Sequence, residues 1–235
     1  ESEDVDFGLS VAVSSNGSIM AIGAPLSDSF KGEVRVYEFN SGTHSWAQKG
    51  SDIIGRSGDF PNQNNSPYGS RAGTALAINA SGTRIAVGQP NYSSTTSLVR
   101  QGAVQVYDYT SDWNAFGSLV IGNASYQYFG RGVALNAAGD IMIVGAYGFK
   151  ISSAYHEQGA VNAYSVQGGD WVQLGGTIYG GMSSRLPVLA DLNQRRNRDR
   201  FGLSVACDNL GTRIIIGAPK NNNTFRQKTG GYAKV

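Results

Sequence analysis

The chain is poor in the residues that usually catalyse or cross-link: it has one cysteine, two histidines and only 15% charged residues in a length of 235. The lone thiol, Cys207, falls in a slot otherwise filled by Val13, Ile78 and Leu135, so it reads as a small buried hydrophobe and not as a nucleophile. The two histidines, His44 and His156, are predicted on opposite faces of the fold, which excludes a metal shared between them. No apolar run approaches the length that spans a membrane, and no signal peptide is visible. No stretch sustains a helical period, and a net charge of +2 gives no general reason to expect nucleic acid.

Glycine, in contrast, is abundant at 32 residues, and much of it recurs in order. One pattern appears four times: FGLSVAVSSNGSIMAIGAP from Phe7, AGTALAINASGTRIAVGQP from Ala72, FGRGVALNAAGDIMIVGAY from Phe129 and FGLSVACDNLGTRIIIGAP from Phe201. After a connector each copy continues with a glycine-led strand: GEVRVYEF at Gly32, GAVQVYDY at Gly102, GAVNAYSV at Gly159 and GYAKV at Gly231. A fourth segment follows in three copies: WAQKGSDIIG from Trp46, WNAFGSLVIG from Trp113 and WVQLGGTIYG from Trp171. The repeats therefore run over approximately 7–55, 72–122, 129–180 and 201–235, the last incomplete.

Side-chain alternation identifies these segments as strands. Leu9, Val11 and Val13 alternate with Ser10 and Ala12, a period of two that puts large groups on one face and small groups on the other. Ala12, Ala77, Ala134 and Ala206 share one slot, as expected where strands crowd around a common axis. Gly17, Gly82, Gly139 and Gly211 fall in the first hairpin turns, where a positive φ is cheapest without a Cβ.

Four-stranded antiparallel sheets repeated head to tail cannot each bury both faces alone, and they stack radially as blades of an all-β propeller. The alternative is an open stack of sandwich-like sheets. The expected architecture is one propeller domain over 1–235, with three complete blades and a partial fourth. It reads as part of a seven-bladed ring cut from a longer polypeptide, or as a four-bladed ring closed by a partner chain.

At these landmarks the chain resembles the FG-GAP repeat family, whose best-known members are the propellers of integrin α chains. The FG and GAP dipeptides are intact in the first and last copies. The resemblance implies the fold, and more loosely an extracellular adhesive role. Many blades of that family hold calcium in an Asp-rich first hairpin. The turns here read SSNGS, NASGT, NAAGD and DNLGT, with at most one carboxylate each (Asp140, Asp208), so a calcium-loop-free variant with no metal or cofactor is expected.

Glycosylation signals point to a secreted or cell-surface protein. Asn-X-Ser/Thr triplets stand at Asn16, Asn64, Asn79, Asn91, Asn123 and Asn222, most of them in predicted turns or loops.

Topology then selects a recognition face. In an up-and-down blade the short connectors share one face of the disc, while the connectors joining strands two to three and blade to blade share the other. Here the second set is long and irregular, which is how a rigid scaffold carries a binding surface. Most of the 19 basic residues fall in it, interleaved with aromatics. Arg100, Lys150, Tyr155, Arg195, Arg196, Arg198, Arg200 and Arg226 are the candidate contact residues. Guanidinium forks pair with sulfate or carboxylate while rings stack on sugars, so an anionic glycan or a protein partner fits.

Catalysis finds little footing. No clustered carboxylates recur on the inner strands, and the only adjacent acid–base pair, His156 and Glu157, lies in a loop. The expected function is non-enzymatic recognition or adhesion. The alternatives are a structural subunit of a surface appendage or extracellular matrix assembly, and a propeller enzyme whose active centre lies on blades outside this chain. The expected partners are a protein, an anionic glycan, or further blades of the same polypeptide or a partner chain, with no nucleic acid and no membrane insertion.

Overall fold

A computed structural model describes residues 6–56, 69–150, 158–180 and 200–219, together with the backbone of 232–234. Among these residues sixteen strands form four antiparallel sheets, one per repeat. Blade 1 holds β1 (Ser10–Val13), β2 (Ile19–Ala24), β3 (Glu33–Asn40), β4 (Ser45–Gln48) and β5 (Ile53–Ile54). Blade 2 holds β6 (Ala75–Ile78), β7 (Arg84–Gln89), β8 (Ala103–Tyr109) and β9 (Trp113–Ile121). Blade 3 holds β10 (Phe129–Leu135), β11 (Ile141–Ala146), β12 (Ala160–Gln167) and β13 (Asp170–Tyr179). Blade 4 holds β14 (Ser204–Cys207), β15 (Ile214–Ala218) and β16 (Tyr232–Lys234). Within each sheet the strands lie in chain order, as an up-and-down blade requires, with β5 pairing on β3 beyond the end of β4. Among the described residues the one short helical segment, Ser27–Phe30, is a turn whose Asp28 and Ser29 have left-handed dihedrals.

The alternation places two kinds of face in contact. In blade 2, Leu76, Ile78, Ile85, Val87 and Tyr107 share the large-residue face through the pairs Leu76–Val87, Ile78–Ile85 and Ile85–Tyr107. That face packs on the small-residue face of blade 1, where Ile19, Ala21, Val34 and Val36 form a common core with it. The same contact repeats between blades 2 and 3, with Val104 and Val106 against Val133, Met142 and Val144. It repeats again between blades 3 and 4, with Ile143 and Val161 against Ile216 and Ala218. Each fully buried aliphatic side chain contributes about 1.5–3 kcal/mol of transfer free energy, so these three seams hold the array together.

The alanine slot lies on the small-residue face. Ala77 and Ala134 are buried under the next blade, and Ala206 is exposed. The closest backbone approach falls elsewhere, on glycines. A Cβ at Gly23, Gly88 or Gly145 would collide with the carbonyl oxygen of Gly73, Gly130 or Gly202 in the following blade. The GA of one blade therefore touches the FG of the next. Cys207 packs half-buried in the third seam and is not fully enclosed; burial, then Asp208, raises its thiol pKa above the ordinary value.

A latch on the outer strands reinforces two seams. Asp112 opens the fourth strand of blade 2 and accepts bonds from Ser51 N (2.7 Å), Ser51 Oγ (2.7 Å) and Trp113 N (2.8 Å). Asp170 repeats this on Ser118 N (2.7 Å), Ser118 Oγ (2.8 Å) and Trp171 N (2.8 Å). The receiving segments, Gly50–Ser51 and Gly117–Ser118, interrupt the fourth strand. Blade 2 has a register shift there, and blade 1 splits its strand into β4 and β5.

Candidate recognition face

The parallel bridges Gly32–Ala72, Gly102–Phe129 and Gly159–Phe201 join the end of each two-to-three connector to the end of the following blade-to-blade connector. Flanking bonds tighten the junctions: Arg71 N donates to Phe30 O (3.0 Å), Ala72 N to Lys31 O (2.8 Å), Tyr128 N to Arg100 O (3.1 Å) and Phe129 N to Gln101 O (3.1 Å). The long connectors thus emerge side by side. The first hairpin turns lie at the other end of the same strands and are bonded to one another: Ser15 N to Ala80 O, Ala80 N to Ala137 O and Ala137 N to Asn209 O, each 3.0 Å.

Those hairpins are closed by their own side chains. Asn136 Oδ1 accepts from the backbone of Gly139 (2.9 Å), Asp140 (3.0 Å) and Ile141 (3.0 Å), and Asn79 Oδ1 accepts from Thr83 (2.9 Å) and Arg84 (3.0 Å). Asp208 Oδ1 accepts from Thr212 N (2.8 Å) and Arg213 N (3.2 Å), and its pKa is lowered chiefly by the Arg213 backbone bond. Of the sequon asparagines, Asn79 is buried, and its amide nitrogen donates to Thr83 Oγ1 at 3.3 Å. Asn16 and Asn123 are exposed and Asn91 is half-buried; Asn64 and Asn222 lie outside the described residues.

On the long-connector face, backbone conformation is unusual. The residue preceding each FG slot has a positive φ in all four copies: Asp6 at 52°, Arg71 at 55°, Tyr128 at 52° and Arg200 at 54°. Phe30 (66°), Arg100 (50°) and Tyr126 (56°) on the same face share that conformation. A left-handed conformation costs an L-residue roughly 1–2 kcal/mol, and the bridges above supply the bonds that hold these residues in it.

Two guanidinium groups lie over rings from the neighbouring blade. Arg71 sits over Phe30 and Arg200 over Tyr147, each 5.8 Å from the centroid. Tyr147 also stacks on Tyr128 at 5.0 Å, with 13° between the planes. Of the sequence candidates, Arg100 is half-buried with its backbone N–H on Ser93 Oγ (2.9 Å), Lys150 is exposed, and Arg200 is half-buried beside the Tyr128–Tyr147 stack. Tyr155, Arg195, Arg196, Arg198 and Arg226 lie outside the described residues. Phe30 and Tyr128 escaped the sequence reading. The signal for Tyr128 was positional, because it fills the slot of Arg71 and Arg200.

Lys31 pairs with Asp28 at 2.9 Å, but among the described residues Arg56, Arg71, Arg100, Lys150 and Arg200 form no ion pair. The described residues contain no group of three or more His, Cys, Asp or Glu side chains able to hold a metal ion, and no helix long and apolar enough to cross a membrane.

Sheet order, seams and connector placement define the chain as a β-propeller built from four-stranded antiparallel blades. No family model and no curated protein matches it. Among solved structures it is similar to hydrazine synthase of Kuenenia stuttgartiensis, at 14% identity over 89% of this chain and 61% of that one, with a TM-score of 0.42. It is also similar to the β-propeller domain of the Trilobed protease from Pyrococcus furiosus (10% identity, 96% and 56% covered, TM-score 0.41). A third likeness is to the periplasmic gluconolactonase PpgL of Pseudomonas aeruginosa (11% identity, 75% and 58% covered, TM-score 0.35). The chain spans less than two thirds of the length of each.

Proposed function

We propose that this protein is a non-enzymatic recognition or adhesion module of the FG-GAP type, secreted or displayed at a cell surface, which binds an anionic glycan or an acidic protein through its long-connector face. The observation that carries the reading is the set of five cationic side chains on that face that have no carboxylate partner among the described residues, two of them laid over aromatic rings. A guanidinium held over a ring can still offer N–H groups to sulfate or carboxylate, and the ring limits the entropy lost on binding. The exposed acceptors Asn16 and Asn123 favour the extracellular placement.

Retention on an immobilised sulfated glycan tests it. The chain should elute later than a neutral protein of its size, and should elute earlier at lower salt when Arg195, Arg196 and Arg198 become Ala, and again when Arg100 and Arg200 do. Unchanged elution of both variants would exclude this face as the anion site.

A further inference from the structure

Each long-connector junction is pinned by one parallel bridge, and the residues just before the bridged pair are set side by side: Lys31 with Arg71, Gln101 with Tyr128, and Gln158 with Arg200. In the first two junctions the connector side chain is engaged locally. Lys31 Nζ donates to Asp28 Oδ2 at 2.9 Å, and Gln101 Oε1 accepts from Ser94 Oγ at 2.9 Å. Arg71 Nε has no hydrogen-bond partner among the described residues, but its neighbour Lys31 is already bonded to Asp28.

The third junction differs. Gln158 is only 5% exposed, yet its Nε2 has no hydrogen-bond partner among the described residues, and the buried Arg200 Nε has none either. Two N–H donors, one of them cationic, thus stand at one bridge without an acceptor among those residues. A buried donor left unmade costs about 1–3 kcal/mol, so a pair of them marks a place where a ligand's acceptor would be welcome.

Aromatic rings converge on the same junction. Tyr147 stands where the other copies have Pro25, Pro90 and Pro219; it stacks on Tyr128 at 5.0 Å and lies under Arg200. Gly159 N donates to Phe149 O at 3.2 Å, and Phe149 packs on the 45% exposed Tyr179. Gly180 closes in from the following position: its N–H donates to Gly159 O at 3.0 Å, and a Cβ on it would strike Gln158 O and Phe201 Cβ.

We infer that Gln158 and Arg200 form a carboxylate subsite, and that its ligand is an acidic sugar of the uronate class whose ring lies against the tyrosines. The two donors match the two oxygens of a carboxylate, whereas a sulfate ester presents three and leaves one without a donor. Tyr147 in place of proline adds ring surface beside the donors, which a sugar ring covers and a carboxylate on a flexible chain does not. The inference rests on the anion reading of the long-connector face and names the ligand of one part of it.

Saturation-transfer NMR of the 235-residue chain with D-glucuronate tests the subsite. Glucose, glucose 6-sulfate and N-acetylglutamate amide should each bind at least about tenfold more weakly, the worth of one charge-assisted bond or one ring contact. Gln158→Met should weaken glucuronate about tenfold, and so should Arg200→Lys, which keeps the charge and loses the Nε–H. Tyr147→Pro, the residue of the other copies, should erase the preference for glucuronate over N-acetylglutamate amide. The melting temperature of Gln158→Met should hold or rise, because an apolar chain of similar size replaces an amide without a partner. A fall would mean that the amide is already bonded in the free protein, and would overturn the subsite. So would absent glucuronate binding, or binding that either variant leaves undiminished. Equal binding of N-acetylglutamate amide would make the ligand a peptide carboxylate, and equal binding of glucose 6-sulfate would make it a sulfate; both overturn the uronate. Retention on the sulfated-glycan column without glucuronate binding removes this subsite alone, whereas glucuronate binding without retention removes the broad cationic face and keeps the subsite.

Discussion

Gly88 and Gly130 touch across the seam between blades 2 and 3, so closely that a methyl group on Gly88 would overlap the carbonyl oxygen of Gly130. The contact gives a physical reason for the FG and GAP landmarks: they are the two sides of one backbone-to-backbone approach, repeated at Gly23–Gly73 and Gly145–Gly202. Gly88→Ala should destabilise the chain by about 3 kcal/mol, at the upper end of overpacking costs, because the obstruction is backbone and cannot rotate away. Gly8→Ala, in open space with φ +95°, should cost about 1 kcal/mol, from backbone strain alone. Urea unfolding of the two variants measures the difference.

Two of the three outer-strand indoles, Trp113 and Trp171, are equivalent by position and differ in bonding. Trp113 Nε1 donates to Lys49 O at 2.8 Å across the first seam, while Trp171 Nε1 is buried without a hydrogen-bond partner among the described residues. Trp113→Phe should therefore cost about 1 kcal/mol more than Trp171→Phe, the net worth of one hydrogen bond. Equal losses in chemical denaturation would remove the Lys49 bond from the account.

Arg84 joins three elements. Its Nε and Nη2 each reach Asp108 at 2.6 Å, its Nη1 reaches Gly139 O at 3.0 Å in the next blade, and its guanidinium lies 3.8 Å from the Phe116 ring centroid. A fork holding two partners in fixed geometry is not replaced by an ammonium, so Arg84→Lys should lower stability by about 2 kcal/mol, the worth of a charge-assisted bond. Asp108→Asn should cost less in the Arg84→Lys background than in the wild type, since the bidentate pairing is then already lost.

Acid should loosen the outer latches. Bonds from Ser51 N and Oγ hold the Asp112 carboxylate below its ordinary pKa of 3.8, and bonds from Ser118 do the same for Asp170. A carboxyl whose folded pKa is depressed adds stability that is fully present above its unfolded value and lost as pH falls through the folded value. The melting temperature should therefore drop as pH is lowered below about 4, and the Asp112→Asn/Asp170→Asn double variant should show a shallower drop. The same slope in both proteins would mean that the carboxylates do not report on the latch.

The repeat could be read from sequence because its signals are local. Glycine turns, two-residue alternation and tryptophan-led strands each lie within a few residues, and the sheets follow them. The seams followed too, since alternation already sorted Leu76 and Ile78 from Ala75 and Ala77. The latch did not, because Ser51 and Asp112 are 61 residues apart and an Asp–Trp pair has no local reason to seek a Gly–Ser bulge. The slot preceding FG was hidden for another reason: Asp6, Arg71, Tyr128 and Arg200 share a backbone conformation and not a side-chain type. The cationic connectors were visible as composition, but the placement of Arg200 over Tyr147 depends on how two blades meet. Burial of Asn79 was hidden by its sequon, since the triplet reports chemistry and not packing.

The central claim is that consecutive blades lie face to face, and a cysteine cross-link tests it most directly. In a Cys207→Ala background, Ser51→Cys with Asp112→Cys places two thiols where Ser51 Oγ and Asp112 Oδ2 are 2.7 Å apart. Mild oxidation should give an intramolecular disulfide, with faster migration on a non-reducing gel, while Ser51→Cys with Asp170→Cys, which skips a blade, should not cross-link. Failure of the first pair under conditions in which the second reacts would contradict the stacking order.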